Sequence, residues 1–203
     1  MSAEPGRAAL DTILSRRSIG RLGPPAPSPA ELQTILTAAV SAPDHEELRP
    51  WRFVVLEGPA KDAFGDVLAE AYLARCRRDR AEPTTGQLEK ERTKLGRAPV
   101  VVVVGASPRA HPKVPEVEQV AAVAAAAENA LLAATALGYG SMWRTGDAAY
   151  DPAVKTALGL SEADQIVGFL YLGTAEPGRA PEAQPRQLGD VVWRWAPPGP
   201  ATS

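Results

Sequence analysis

The chain has 203 residues, 45% of them hydrophobic and 23% charged, with a formal net charge of -2. That is the make-up of one globular domain with a full core, and it offers no bulk positive charge to attract nucleic acid or an anionic membrane. A single cysteine, Cys76, excludes an internal disulfide and fits a reducing cytoplasm, and two histidines, His45 and His111, give no zinc-type ligand spacing.

In chain order, Leu10, Ile13 and Leu14 stand at helical spacing in a short first helix that runs into Arg16-Arg17-Ser18. Nothing there has the basic-then-apolar pattern that directs export. Ser28-Pro29-Ala30-Glu31 is a capping box with proline at the first helical position. Leu32, Ile35, Leu36, Ala39 and Val40 mark the buried face of the helix it starts, which should stop before Pro43. Trp51–Glu57 is β-branched and aromatic and predicts a strand. Phe64, Val67, Leu68, Ala71 and Tyr72 give a third helix that trails into a charged run. Residues 83–98 are polar and mixed in charge, which predicts a surface excursion. Five consecutive valines within Pro99–Gly105 predict a strand buried on both faces.

Val117–Leu137 holds no glycine or proline and is dominated by alanine and leucine, the best helix formers. Its apolar residues run almost all round, so a long buried central helix is expected, with alanines small enough to admit a second helix from this chain or another copy. Glu128-Asn129 in its middle argues against a membrane span. Beyond it, Tyr139–Trp143 predicts a short strand, Asp151-Pro152 caps a small helix closing at Gly159, and Ile166–Gly173 is a last core strand. After a linker rich in proline, glycine and alanine at 174–187, Val191–Trp195 regains strand character and must dock on this chain or on a partner. Helices and strands mixed without regular alternation give an α+β class in a single domain over 1–203.

Several common sites are absent. Gly138-Tyr139-Gly140 follows a helix and lacks the third glycine of a dinucleotide fingerprint, and there is no phosphate-binding P-loop or serine elbow. Three polar clusters remain. In Arg16-Arg17-Ser18, two guanidinium groups and a hydroxyl suit a phosphate, although arginines ending a helix also complement its dipole. The turn from Ser41 to Trp51 is stiffened by Pro43 and Pro50, and its Ser41 and His45 can face a ligand or serve only as a capped connector. Leaving the central helix, Trp143, Arg144 and Thr145 set an aromatic, a guanidinium and a hydroxyl in a row.

Arg16-Arg17-Ser18, Ala42-Pro43-Asp44-His45 with Arg49-Pro50-Trp51, Trp143-Arg144-Thr145-Gly146 and the strand Val167–Thr174, in this order, resemble the FMN-dependent nitroreductase family. The likeness is greatest to its small single-domain bacterial members, which His111–Pro115 and Glu118-Gln119 also fit, and it spans about residues 8–195. It implies a nitroreductase-like fold, a mostly antiparallel sheet flanked by helices, in an intertwined homodimer with FMN in the interface and the C-terminal strand docked on the partner subunit. Arg16, Arg17 and Ser18 are then expected to hold the FMN phosphate and ribityl chain. Ser41 and His45 are expected to reach the flavin from the second subunit, and Trp143, Arg144 and Thr145 to line it from the other side. A nicotinamide dinucleotide is associated with the stretch matching Ala133, Ala134, Thr135, Ala136, Leu137 and Gly138, although a helix carbonyl end does not favour phosphates.

The implied activity is ping-pong transfer of electrons from NAD(P)H through FMN to a nitroaromatic or quinone-like acceptor, with no catalytic side chain and no metal. Another flavin reaction on the same fold, by a dehydrogenase or dehalogenase, and flavin binding without turnover are the alternatives. Gly20 departs from the pattern, standing where many members have a second basic residue, with Arg21 one place later; Arg49 stands where glutamine often precedes Pro-Trp.

Overall fold

The computed structural model describes residues 4–178, 181, 187–189 and 191–197. The middle of a five-stranded antiparallel sheet is β3 (Val100–Ala106) against β5 (Gln165–Ala175), with β2 (Trp51–Glu57) outside β3. The far edge of β5 carries both β1 (Leu22–Gly23) and β4 (Gly140–Arg144).

Every residue of β3 is buried, because helices cover both faces of the sheet. Strand side chains alternate between faces, and the core divides accordingly. On one side, α2 (Pro29–Ala39) and α5 (Glu116–Ala136) pack Ile35, Val123, Ala127 and Leu131 on Val100, Val102, Val104, Leu170 and Leu172. On the other, α3 (Gly58–Arg78) and α6 (Pro152–Ala157) set Phe64, Leu68 and Val154 against Val101, Val103, Phe169 and Tyr171. Each fully buried valine or leucine here contributes about 1.5–3 kcal/mol relative to exposure.

The helix starts follow from the sequence. Ser28 Oγ accepts from Glu31 N–H while the Glu31 carboxylate accepts from Ser28 N–H at 2.8 Å, completing the capping box of α2. Tyr139 donates its hydroxyl to the same carboxylate at 2.9 Å, which ties the chain leaving α5 to the start of α2. Asp151 caps α6 through Ala153 and Val154 N–H and also meets Arg75 of α3 in a largely buried ion pair.

Four features differ from expectation or add to it. Residues 83–98 are no plain excursion: α4 (Thr85–Thr93) starts at a second capping box, Thr84 with Gln87, and ends in a 3-10 turn at Lys94–Arg97. Gly65 of α3 permits this packing, since an added Cβ there would lie 2.1 Å from the Arg92 carbonyl oxygen. The apolar face of α1 (Glu4–Ser15) is exposed at Leu10, Ile13 and Leu14, which the described residues of one chain leave uncovered. Helix α5 buries eight residues against the sheet and leaves its opposite side half-open; by length and composition alone it could cross a membrane, but here it packs as a core helix. Finally, Val191–Trp195 is not a strand: no described strand pairs with it, and Trp193 and Trp195 are 83% and 84% exposed. Its apolar composition marks a segment that needs cover, but a strand also needs a free ladder to join.

Trp143 lies over Gly168 and donates its indole N–H to the Val167 carbonyl at 3.1 Å. A Cβ at Gly168 would fall 2.0 Å from Nε1. Gly168→Ala is expected to cost about 1–3 kcal/mol in urea unfolding and to shift tryptophan emission as the indole is displaced. Wild-type stability and emission in that variant would mean the indole does not pack here.

Candidate functional site

After α1, residues 16–20 run beside the outer edge of β4. Ser18 and Ser141 form a parallel bridge, and Ile19 N–H donates to the Ser141 carbonyl at 3.0 Å. This seam lays Arg16-Arg17-Ser18 along the start of β4 and sets Gly20 beside Arg144, bringing together segments remote in sequence. Among the described residues, the buried side-chain nitrogen and oxygen atoms without a hydrogen-bond partner are Arg16 Nη1, Ser141 Oγ and Arg144 Nε, all on this seam. Such atoms are rare in native proteins and call for a partner from outside the chain, an ordered water, an ion or a bound molecule.

The two arginines after α1 do different work. Arg16, with a side chain 20% exposed, meets Glu128 of α5 through Nε at 3.2 Å. Arg17 turns back and donates through Nη1 to the carbonyls of Leu14 and Arg16, both at 2.7 Å, so it quenches the carbonyl end of α1. Gly20 has a physical counterpart: a Cβ there would lie 3.8 Å from Arg144 Nη2, so the guanidinium of Arg144 stands beside the place where a basic side chain is missing. Arg21 is exposed.

Arg144 also reaches a cavity of about 380 Å³ between β4–β5 and α4, which Lys90, Lys94, Arg97 and Thr145 line together with the rings of Phe169 and Tyr171. Its volume lies in the range of small-molecule sites. Four cations face one carboxylate, Glu91, which pairs with Lys94 at 2.5 Å. Burial pushes the Tyr171 phenol above its ordinary range, while Arg144 and then Arg97 pull it back down. Register fixes this wall, since Arg144 pairs with Phe169, and Met142 with Tyr171, on the same face of the sheet.

Ser41 and His45 lie elsewhere. Ser41 donates its hydroxyl to the Thr37 carbonyl at 3.0 Å and edges an apolar groove formed by α1, the end of α2 and α5, with Ile13, Asn129 and Ala133. His45 Nδ1 is 3.0 Å from Glu118 Oε2 at the start of α5. Its loop is strained, with Glu46, Glu47 and Arg49 at φ of 60°, 51° and 50°. Lys113 to Glu46, Arg109 to the Leu48 carbonyl and Arg49 N–H to Asp44 hold it in place. Glu118 and Glu128 are separated by about 15 Å along α5 at 1.5 Å per residue, so one chain does not bring His45 to the seam.

Ala133–Gly138 form the carbonyl end of α5. Ala134 is buried in the core, Thr135 donates its hydroxyl to the Leu131 carbonyl, and Gly138 takes φ 84° to end the helix. The described residues contain no group of three or more histidine, cysteine or carboxylate side chains that could hold a metal.

The sequence profile of the Nitroreductase family matches residues 13–174. The chain belongs to the nitroreductase family. It is 40% identical over 168 residues to the "Putative NAD(P)H nitroreductase YdjA" of Escherichia coli, covering 83% of this chain and 88% of that protein. A nitroreductase-like family protein from Bacillus cereus has the same fold, with a TM-score of 0.76 at 24% identity over 92% of this chain and 95% of the other. A nitroreductase with bound FMN from Bacteroides fragilis gives 0.69 at 24% identity over 92% and 98%.

Sequence reasoning about this nitroreductase passes over Lys90, Lys94, Arg97 and Tyr171. The first three lie in what reads as a solvated run, and the fourth in what reads as plain core. The capping box Thr84-Thr85-Gly86-Gln87 was the available signal for a helix there. Arg144→Gln is expected to move the Tyr171 phenol still higher in an ultraviolet alkaline titration, since it removes the larger of the two opposing cationic effects. Tyr171→Phe identifies the band, and an unmoved or lowered midpoint would show that Arg144 does not face the phenol.

Proposed function

We propose that this nitroreductase is an FMN-dependent oxidoreductase that takes hydride from NAD(P)H and reduces nitroaromatic or quinone-like acceptors in ping-pong fashion, as a homodimer with flavin at the subunit interface. The observation that carries this reading is the set of three buried, unpartnered polar atoms along the seam, two of them guanidinium nitrogens, with a cationic cavity at its Arg144 end. FMN matches that donor set at both ends, with an anionic phosphate at one and a polar pyrimidine edge at the other. Arg16 and Ser18 suit the phosphate and ribityl chain; Arg144 and Thr145, which line the cavity, suit the ring, while Trp143 packs on the opposite face of β4.

Bound FMN supplies the hydride and electron chemistry, and the protein supplies position and field. Arg144, Lys94 and Arg97 favour negative charge on a ring seated at the cavity mouth, because fixed cations in a partly dry site need not reorganise. Arg17 adds charge while it caps α1. The hydride donor needs only an open ring face, and no side chain is assigned to it, since Ala133–Gly138 offer a carbonyl pole.

The exposed apolar face of α1, the half-open side of α5 and the distance of Ser41 and His45 from the seam all support a second subunit. Packing of two copies across α5 is the arrangement in which a partner's loop can cover the flavin, and Val191–Trp195 is the segment a partner then covers. Bands of bound flavin in the purified protein should bleach when NADPH or NADH is added without air. Arg16→Glu should fold and yet lose FMN by about a hundredfold or more, because the phosphate then meets a carboxylate. Full flavin content in that variant would remove the phosphate assignment, and bands that persist with both nucleotides would remove the reductase reading.

A further inference from the structure

The one charge between Glu118 and Arg144 is Glu128, set in the middle of an otherwise apolar helix. Its side chain is 43% exposed, and its contact is an ion pair with Arg16 Nε at 3.2 Å. A guanidinium donates from a side edge, Nε with one Nη, and from an end edge, the two Nη groups. Glu128 lies beside the side edge, as an ion pair with Nε. Arg16 Nη1, which belongs to the end edge, is buried and has no partner.

We propose that Glu128 is a positioning residue for phosphate recognition: it fixes the guanidinium plane of Arg16 so that its end edge is presented to the phosphate of the flavin. The inference rests on the FMN reading above and adds to it a residue on a different element. Holding a flexible arginine in one orientation before the ligand arrives removes ordering cost from binding. The same carboxylate would also repel a phosphate held by Arg16, so charge and orientation oppose each other, and in this proposal orientation has the larger effect. Glutamine at 128 keeps a polar oxygen beside Nε without the charge; alanine removes both and suits the surrounding helix.

Flavin-free wild type, Glu128→Gln and Glu128→Ala are titrated with FMN and with riboflavin, which lacks the phosphate, by quenching of flavin fluorescence, and the thermal melting of each flavin-free protein is recorded. Glu128→Ala is expected to weaken FMN binding by about tenfold, the size of one charge-assisted hydrogen bond held out of place. Glu128→Gln should stay within about threefold of wild type for FMN, with riboflavin unchanged in all three. Wild-type FMN affinity in Glu128→Ala, an equal loss of both flavins, or FMN binding tightened about tenfold in Glu128→Gln would each overturn the proposal, the last by making Glu128 a competing anion. Those results leave the FMN reading standing. A wild-type protein that binds neither flavin overturns that reading, and this proposal with it.

Discussion

The rest of the structure depends on one constraint, the burial of β3 and β5 on both faces as an antiparallel pair. Val100–Val104 have no solvent face to slip towards, so the pairing with β5 is fixed, and β5 in turn fixes β4 on its other edge. A one-residue slip of β4 would turn Arg144 from the cavity to the α5 side. The chain after α1 then attaches to the outer edge of β4 through Ser18 and Ser141. The two ends of the candidate flavin site are therefore located by backbone ladders and owe little to flexible side chains.

Around that frame the charges are distributed with a consistent logic. Arg17 neutralises the carbonyl end of α1, leaving Arg16 as the cation with an open edge. Arg144 takes the space beside Gly20. Lys90, Lys94 and Arg97 come from α4 and the turn after it, which stay close because Gly65 lets the Arg92 backbone rest on α3. The cationic wall is thus built from two separate parts of the chain, brought to one sheet edge.

How much of this is legible in the residues depends on the range of the interaction that decides it. The capping box at Ser28, the aspartate cap at Asp151 and the five-valine strand are decided locally, and each stands where the sequence puts it. Helix α4 is polar all round, so apolar periodicity gives no sign of it, and its start is carried by a cap alone. The seam is legible only as residue types: Arg16 and Arg144 read as cations for an anion, but the parallel bridge that lays the chain after α1 along β4 is a tertiary fact. Leu10, Ile13 and Leu14, and Val191–Trp195, show the limit in the other direction. Hydrophobic patterning says that a surface is to be covered and is silent on what covers it.

The three unpartnered atoms on the seam also have a consequence for folding. Each buried polar group left without a partner costs about 1–3 kcal/mol, against a total stability of about 5–15 kcal/mol for a domain of this kind. A molecule that satisfies these groups binds the native chain and not the unfolded one. Occupancy and folding are thermodynamically linked, with each tenfold excess of such a molecule over its dissociation constant adding about 1.4 kcal/mol. The stability of the chain then follows the concentration of any such molecule.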